Sequence, residues 1–198
     1  MADVRGVREP GKRMRSRLLD AAVELFKAQG LAGVAVADIA AAAGAFPSQI
    51  TYYFRTKEAL FVEAACREVL YVARQAEEAA ARAPSGRDYN RVLVETVIGS
   101  PGLALFVEAL SLTRRRQDLV PLVERTFERL HAQGDRAYAE IKARRGWSGG
   151  DDPAVTARRF WTLALGVVLR DGATGATTQE AVDEMAALMR HGPPGGDD

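Results

Sequence analysis

Apolar residues recur along this chain at helical spacing, and no run alternates with period two for long enough to predict a strand. Leu18, Leu19, Ala22, Leu25 and Phe26 share one face of a helix predicted over residues 12–29, and Gly30 is placed to end it in a left-handed conformation. A short alanine-rich helix is predicted over 36–43, with Ile39 and Ala40 inward and Gly44 closing it. Pro47 suits the first turn of a second short helix, 47–53, because its missing N–H would be unpaired there in any case. Thr56 reads as an N-cap, with Ala59 beyond it, for a long helix over 57–82 that would span about 39 Å at 1.5 Å per residue. Further helices are predicted over 87–98, 103–115, 119–145, 153–171 and 178–191, punctuated by Ser100-Pro101-Gly102 and by glycine-rich stretches at 146–152 and 172–176. The expected fold class is all-α.

Composition narrows the setting. The 198 residues are 47% hydrophobic and 27% charged, enough to bury a core without crosslinks. The single cysteine, Cys66, cannot form an internal disulfide and points to a reducing compartment. No apolar run approaches the roughly 18–20 residues a membrane span needs. The basic start lacks the apolar segment of a signal peptide. A cytoplasmic location is expected, with no membrane partner.

Net charge is +1, which by itself argues against nucleic acid, but the charge is unevenly placed. Residues 1–57 carry nine Lys and Arg against five Asp and Glu, a balance of +4, so the remaining 141 residues carry −3. A basic first quarter on a mildly acidic remainder suits a polyanion-binding end attached to a body with another task. A solvated basic tail is the other reading, since five of the nine cations lie in the first fifteen residues.

Two short helices joined at Ala43-Gly44-Ala45 form a helix-turn-helix candidate, the glycine permitting a tight turn. In such a unit the second helix enters the DNA major groove and its early residues meet base edges. Here that helix is polar at its start (Ser48, Gln49, Thr51) and aromatic at its end (Tyr52, Tyr53, Phe54); the aromatic residues could equally be core.

The order of residues adds to this. Leu18-Leu19-Asp20-Ala21-Ala22-Val23-Glu24-Leu25-Phe26, Gly30, Asp38-Ile39-Ala40, Ala43-Gly44, Tyr53-Phe54 and Lys57-Glu58-Ala59-Leu60 together resemble the DNA-binding region of TetR-family transcriptional regulators. The resemblance runs from Arg13 to Leu60, about a quarter of the chain. It implies an N-terminal helix-turn-helix domain followed by a helical ligand-binding and dimerisation domain, with divisions at 1–12 (flexible basic leader), 13–57 (DNA-binding), 58–191 (ligand-binding and dimerisation) and 192–198 (disordered tail). It also implies roles. Ser48, Gln49 and Thr51 face the groove, Gln49 being able to pair with adenine and Thr51 to pack on a thymine methyl. Tyr52, Tyr53 and Lys57 touch phosphate, and Arg13 and Arg17, one turn apart, could reach the backbone too. Three departures stand out. Val34 and Ala35 replace the usual Ser or Thr at the first of the two short helices. Ala45-Phe46-Pro47 replaces a Ser-like cap at the second, leaving Phe46 to pack between helices or lie exposed against DNA. Thr51 stands where Tyr is commonest.

For the remainder, the resemblance implies a cavity among long helices and a dimer built from the last two. Trp161, Leu165 and Val168, then Val182, Met185 and Met189, supply apolar stripes for such an interface. Cavity candidates are Phe106, Leu110, Tyr138 and Trp161, with Glu108 as the polar group. The expected protein is a homodimeric repressor of a double-stranded DNA operator, released by a small-molecule effector and needing no metal or cofactor. Two rival classes remain. A helical dimer could sense a ligand or protein without binding DNA. An enzyme would need a nucleophile with a positioned base; His131 and His191 are the only histidines, and no phosphate loop, dinucleotide fingerprint or zinc-ligand spacing is present.

Overall fold

The computed structural model describes residues 8–146 and 152–190, and among these every regular element is helical. The expected tail, 192–198, and most of the predicted break at 146–152 lie outside the described residues. Helix α1 (Arg8–Gly33) begins ahead of its predicted start, so residues 8–12 of the expected leader are helical. It kinks at Gly30, whose φ of 67° and ψ of 175° are accessible to glycine but lie outside the left-handed helical basin the sequence suggested.

The next two helices, α2 (Val36–Ala42) and α3 (Pro47–Phe54), follow the sequence pattern closely. Neither N-cap residue, Ala35 or Phe46, offers a side-chain oxygen. Instead Asp38 reaches back to accept from the Ala35 N–H at 3.1 Å, and Gln49 Oε1 accepts from the Phe46 N–H at 3.0 Å. Each helix thus satisfies the amide before its first turn but forgoes the usual cap, a sacrifice of about 1 kcal/mol apiece. Between them Gly44 adopts φ 59°. A β-carbon there would stand 2.7 Å from an Arg17 guanidinium nitrogen, and that guanidinium donates to the Ala43 carbonyl, clipping the turn to α1.

Arg55, at the end of α3, is the one non-glycine residue with positive φ among those described (φ 69°, ψ −52°). The Thr56 N–H bonds to the Phe54 carbonyl at 2.8 Å, closing a strained three-residue turn that redirects the chain into α4 (Lys57–Ala80). Thr56 Oγ1 accepts from the Ala59 N–H at 3.1 Å, the predicted cap. The 24 residues of α4 form the spine of the molecule. Its start packs on α1, where Phe61 meets Phe26 edge-to-face at 5.0 Å. Further along, α4 carries α5 (Gly86–Ile98), α6 (Pro101–Thr113) and α7 (Val120–Arg145). Ser100 accepts from the Gly102 N–H and Pro101 occupies the first turn, so α6 starts two residues before its predicted position. Helix α8 (Pro153–Thr174) runs through the predicted break at Gly172 and ends at Gly175, φ 75°; α9 (Thr178–Arg190) packs back on α5 and α8.

One apolar core runs from Leu18 in α1 to Met189 in α9, with a satellite of Ala80, Ala83, Tyr89 and Ile141 at the far end of α4. Cys66 lies in the main core, where burial pushes its thiol up to about 11, far from the reactive thiolate range. The expected dimer stripe needs correction. Trp161 is only 4% exposed, and Val182, Met185 and Met189 are likewise buried within the chain, because α8 leans on α7 and α9 on α5. Leu165 and Val168 are half-buried, and the outward apolar residues of this layer are Val155, Leu169 and Leu188. Among the described residues no single helix is long and apolar enough to cross a membrane; α5 and α6 reach that composition only as a pair bent by 64°.

Candidate nucleic-acid interface and buried cavity

The two short helices pack on α1 and the start of α4 through Ile39, Ala40, Ala43, Ile50 and Phe54, all buried. This leaves one face of α3 outward: Pro47, Ser48, Thr51, Tyr52 and Arg55 are exposed, Tyr52 to 76%. With Phe46 just before it, 75% exposed, that face is a groove-sized surface of hydroxyls, aromatic rings and one guanidinium. Gln49 lies on the flank rather than the crest, and its carbonyl oxygen is held by the Phe46 N–H. A bidentate contact with adenine uses both oxygen and nitrogen of the amide; the oxygen keeps a second lone pair, so the Phe46 bond fixes the orientation from which Gln49 would have to make it.

The expected phosphate contacts divide. Arg13 is exposed. Tyr53 is half-buried, its ring edge-on to Tyr52 at 4.9 Å and its hydroxyl 3.5 Å from where a β-carbon on Gly11 would lie, so it braces the start of α1. Arg17 holds the turn as described. Lys57 Nζ donates to the Leu31 and Val34 carbonyls, both at 2.9 Å, and so closes the α1–α2 connection. Sequence reasoning missed this tethering, and equally the placement of Arg15 over the Phe54 ring at 4.9 Å with Glu63 as its ion-pair partner. Lys57→Met should therefore cost about 1–3 kcal/mol by orphaning two carbonyls. Denaturant unfolding measures that loss. If Lys57 also touches phosphate, the dependence of DNA affinity on salt should fall by about one unit of log–log slope. A stability loss with an unchanged slope would assign Lys57 to the fold alone.

In the body, a cavity of about 40 Å3 lies among α4, α5, α7, α8 and α9. Its walls include Ala73, Ala76, Leu93 and Phe160, with Glu77, Asn90 and Thr156 as polar groups. Of the expected lining residues the structure brings Tyr138 and Trp161 here. Phe106 is instead fully buried against Phe127 at 5.6 Å, Leu110 is half-buried against the core, and Glu108 is exposed. The one carboxylate of the cavity is Glu77, which accepts from Gln133 Nε2 at 2.8 Å. Burial raises the Glu77 pKa, the Gln133 hydrogen bond pulling the other way. Burial also pushes the Tyr89 hydroxyl upward, and Thr156 Oγ1 is buried with no hydrogen-bond partner. A wider groove of about 350 Å3 opens between the α5–α6 and α8–α9 turns; its one carboxylate, Asp171, is already paired with Arg170. Among the described residues no three His, Cys, Asp or Glu converge as a metal site.

Comparison with known proteins matches both parts. Residues 18–64 match the family described as bacterial regulatory proteins, tetR family, and residues 86–190 match a family described as the bacterial transcriptional repressor C-terminal region. Among solved structures, a protein from Rhodococcus sp. RHA1 described as a transcriptional regulator is 38% identical; the match covers 91% of this chain and 97% of that one, with a TM-score of 0.78. A TetR-family regulator from Mesorhizobium loti (19% identity, 91% and 95% coverage, TM-score 0.67) shares the fold. So does the fatty acid degradation regulator FadR from Bacillus halodurans (18%, 91% and 96%, 0.66). No curated protein matches by sequence. With its helix-turn-helix head, its helical body and these matches, the chain belongs to the TetR family of transcriptional regulators.

Proposed function

We propose that this regulator is a cytoplasmic homodimeric repressor that binds a palindromic operator and is released from it by a small molecule. One observation supports the reading above others: α4 joins the two ends. Its first residue, Lys57, holds the α1–α2 connection of the head, and more than four turns along the same helix Ala73, Ala76 and Glu77 form a wall of the cavity. A ligand that wedges against Glu77 and Tyr138 would displace α4 and with it the recognition helix. At about 40 Å3 the cavity admits little more than water, so a ligand must first open it. That gives the ligand unequal affinity for two states, the condition for any allosteric release. The division into a head, 13–57, and a sensing and dimerising body, 58–191, is part of the same proposal.

The dimer face we propose is the outer side of α8 with Leu188 of α9. Val155, Thr162, Gly166 and Leu169 are exposed on α8, and a β-carbon at Gly166 would meet nothing within 4 Å, leaving room for a partner helix. Two heads related by a twofold axis would then address half-sites one helical turn, or a multiple of it, apart. In that arrangement two basic heads, each with the +4 balance of residues 1–57, face one duplex while the acidic bodies point away.

Selection of bound sequences from a random duplex library, followed by a thermal-shift screen of small molecules against the protein, tests this. An enriched inverted repeat, and a stabilising compound that dissociates the complex, are the expected results. Enrichment of a single half-site would overturn the dimeric reading. Compounds that stabilise the protein yet leave operator affinity unchanged would overturn release through the body.

A further inference from the structure

Phe46 is the least economical residue in the head. It occupies the N-cap of the recognition helix, where Ser, Thr, Asp or Asn would bond the free amides of the first turn, and it supplies no such bond. Nor does it serve packing. A hydrophobic staple would pair the residue before the cap with the fourth helical residue, and Ala45 and Ile50 already occupy those two places, both against the core. The ring is 75% exposed instead, beside the exposed Pro47 and Ser48 and at the end of α3 that leads into the groove. Isolated apolar residues on a surface need no explanation. This one sits where a polar residue would help the helix, on the surface assigned to DNA, and in a turn held rigid by Gly44 and the Arg17 clip.

The major groove offers one apolar feature that distinguishes a base pair, the C5-methyl of thymine. We propose that Phe46 is a specificity-determining residue that packs its ring on a thymine methyl in each operator half-site. The contact buries two apolar surfaces that are otherwise in water, and it needs no rearrangement of the head, because the ring is already presented. It also reassigns the readout. The base nearest the start of α3 is selected by Phe46 through its methyl, while Ser48 and Thr51 lie further along the same outward face. The inference rests on DNA binding by this head.

Replacing thymine by deoxyuracil deletes the methyl and leaves base pairing intact, so it isolates the contact. Each thymine of the selected operator is replaced in turn, and affinity is measured for the wild type and for Phe46→Ser, a change that restores a cap oxygen to α3 and so preserves the helix. At one thymine per half-site the wild type should lose about fourfold in affinity, the equivalent of one buried methyl, and Phe46→Ser should lose nothing there. Repeating the selection with Phe46→Ser should relax the preference at that position alone. Equal losses for both proteins at every thymine would overturn the proposal. So would a uniform loss of affinity by Phe46→Ser for operator and random duplexes alike, which would make Phe46 a backbone contact. If the wild type selects no sequence at all, DNA reading by this head fails first, and the inference falls with it. A thermal midpoint for Phe46→Ser no lower than that of the wild type shows that folding does not account for the result.

Discussion

Phe61→Ala should destabilise the protein by about 3–5 kcal/mol, the cost of emptying a fully buried aromatic site. Phe61 is completely enclosed on α4 and meets Phe26 of α1 edge-to-face at 5.0 Å, so the substitution also removes a ring pair worth about 0.5–1.5 kcal/mol beyond its area. The site lies at the joint between head and spine. The core around it leaves little room for collapse, since Leu18, Leu60 and Ala64 of the same cluster are themselves fully buried. Urea unfolding at a fixed protomer concentration measures the loss, since association would otherwise shift the midpoint. A change below about 1 kcal/mol would mean that α1 and α4 are not locked by this contact. The same variant should bind operator more weakly, because the head would lose its fixed orientation on α4.

Leu169→Glu addresses assembly. Leu169 is 57% exposed on the outer side of α8, so the change creates no cavity and removes little packing within one chain. In the proposed dimer it would place two carboxylates in an apolar interface, where charge is costly to desolvate without a partner. Sedimentation should show monomers. Operator affinity should fall by about 10²–10⁴-fold, the avidity gained when a second binding event becomes intramolecular. Helical content should be retained. A variant that stays dimeric with unchanged affinity would move the interface elsewhere on the molecule.

The two substitutions differ in what could have been foreseen. The helix that carries Phe61 was legible, because Thr56 caps a long helical run, but the inward place of Phe61 against Phe26 came only from the packing of α4 on α1. Gly44, Pro47 and the two short helices were legible for similar reasons, since turn geometry and proline placement are local properties that the backbone imposes on a few consecutive residues. The order of apolar and small residues from Arg13 to Leu60 was enough to suggest the family, and the matches to both halves of the chain establish it.

The site itself was less legible. Lys57, Arg17 and Gln49 carry the chemistry expected of DNA contacts, yet each spends a hydrogen-bonding group inside the head: on the Leu31 and Val34 carbonyls, on the Ala43 carbonyl, and on the Phe46 N–H. The first two partners lie more than twenty residues away in sequence, so only packing could reveal them. Gln49 is the exception, since its partner is three residues back. For it the sequence held a usable sign, because Gln at the third helical position is a residue type that reaches back to the N-cap amide.

The body shows the same limit more sharply. Tyr138 and Trp161 reached the cavity but Phe106, Leu110 and Glu108 did not, because helical periodicity says which residues turn inward on one helix and nothing about which helix they then face. Glu77, Asn90, Thr156 and Phe160 come from three separate helices and meet only when α4, α5 and α8 are assembled. Likewise the stripes of α8 and α9 were correctly read as apolar, but burial against α7 and α5 used most of them, and Leu169 and Leu188 remain exposed. What the sequence determined alone were the properties set by neighbours along the chain: helices, caps, the turn, and a basic head on an acidic body. Tertiary structure decided everything that depends on which faces meet, since the free energy of burying a side chain is set by its surroundings in space.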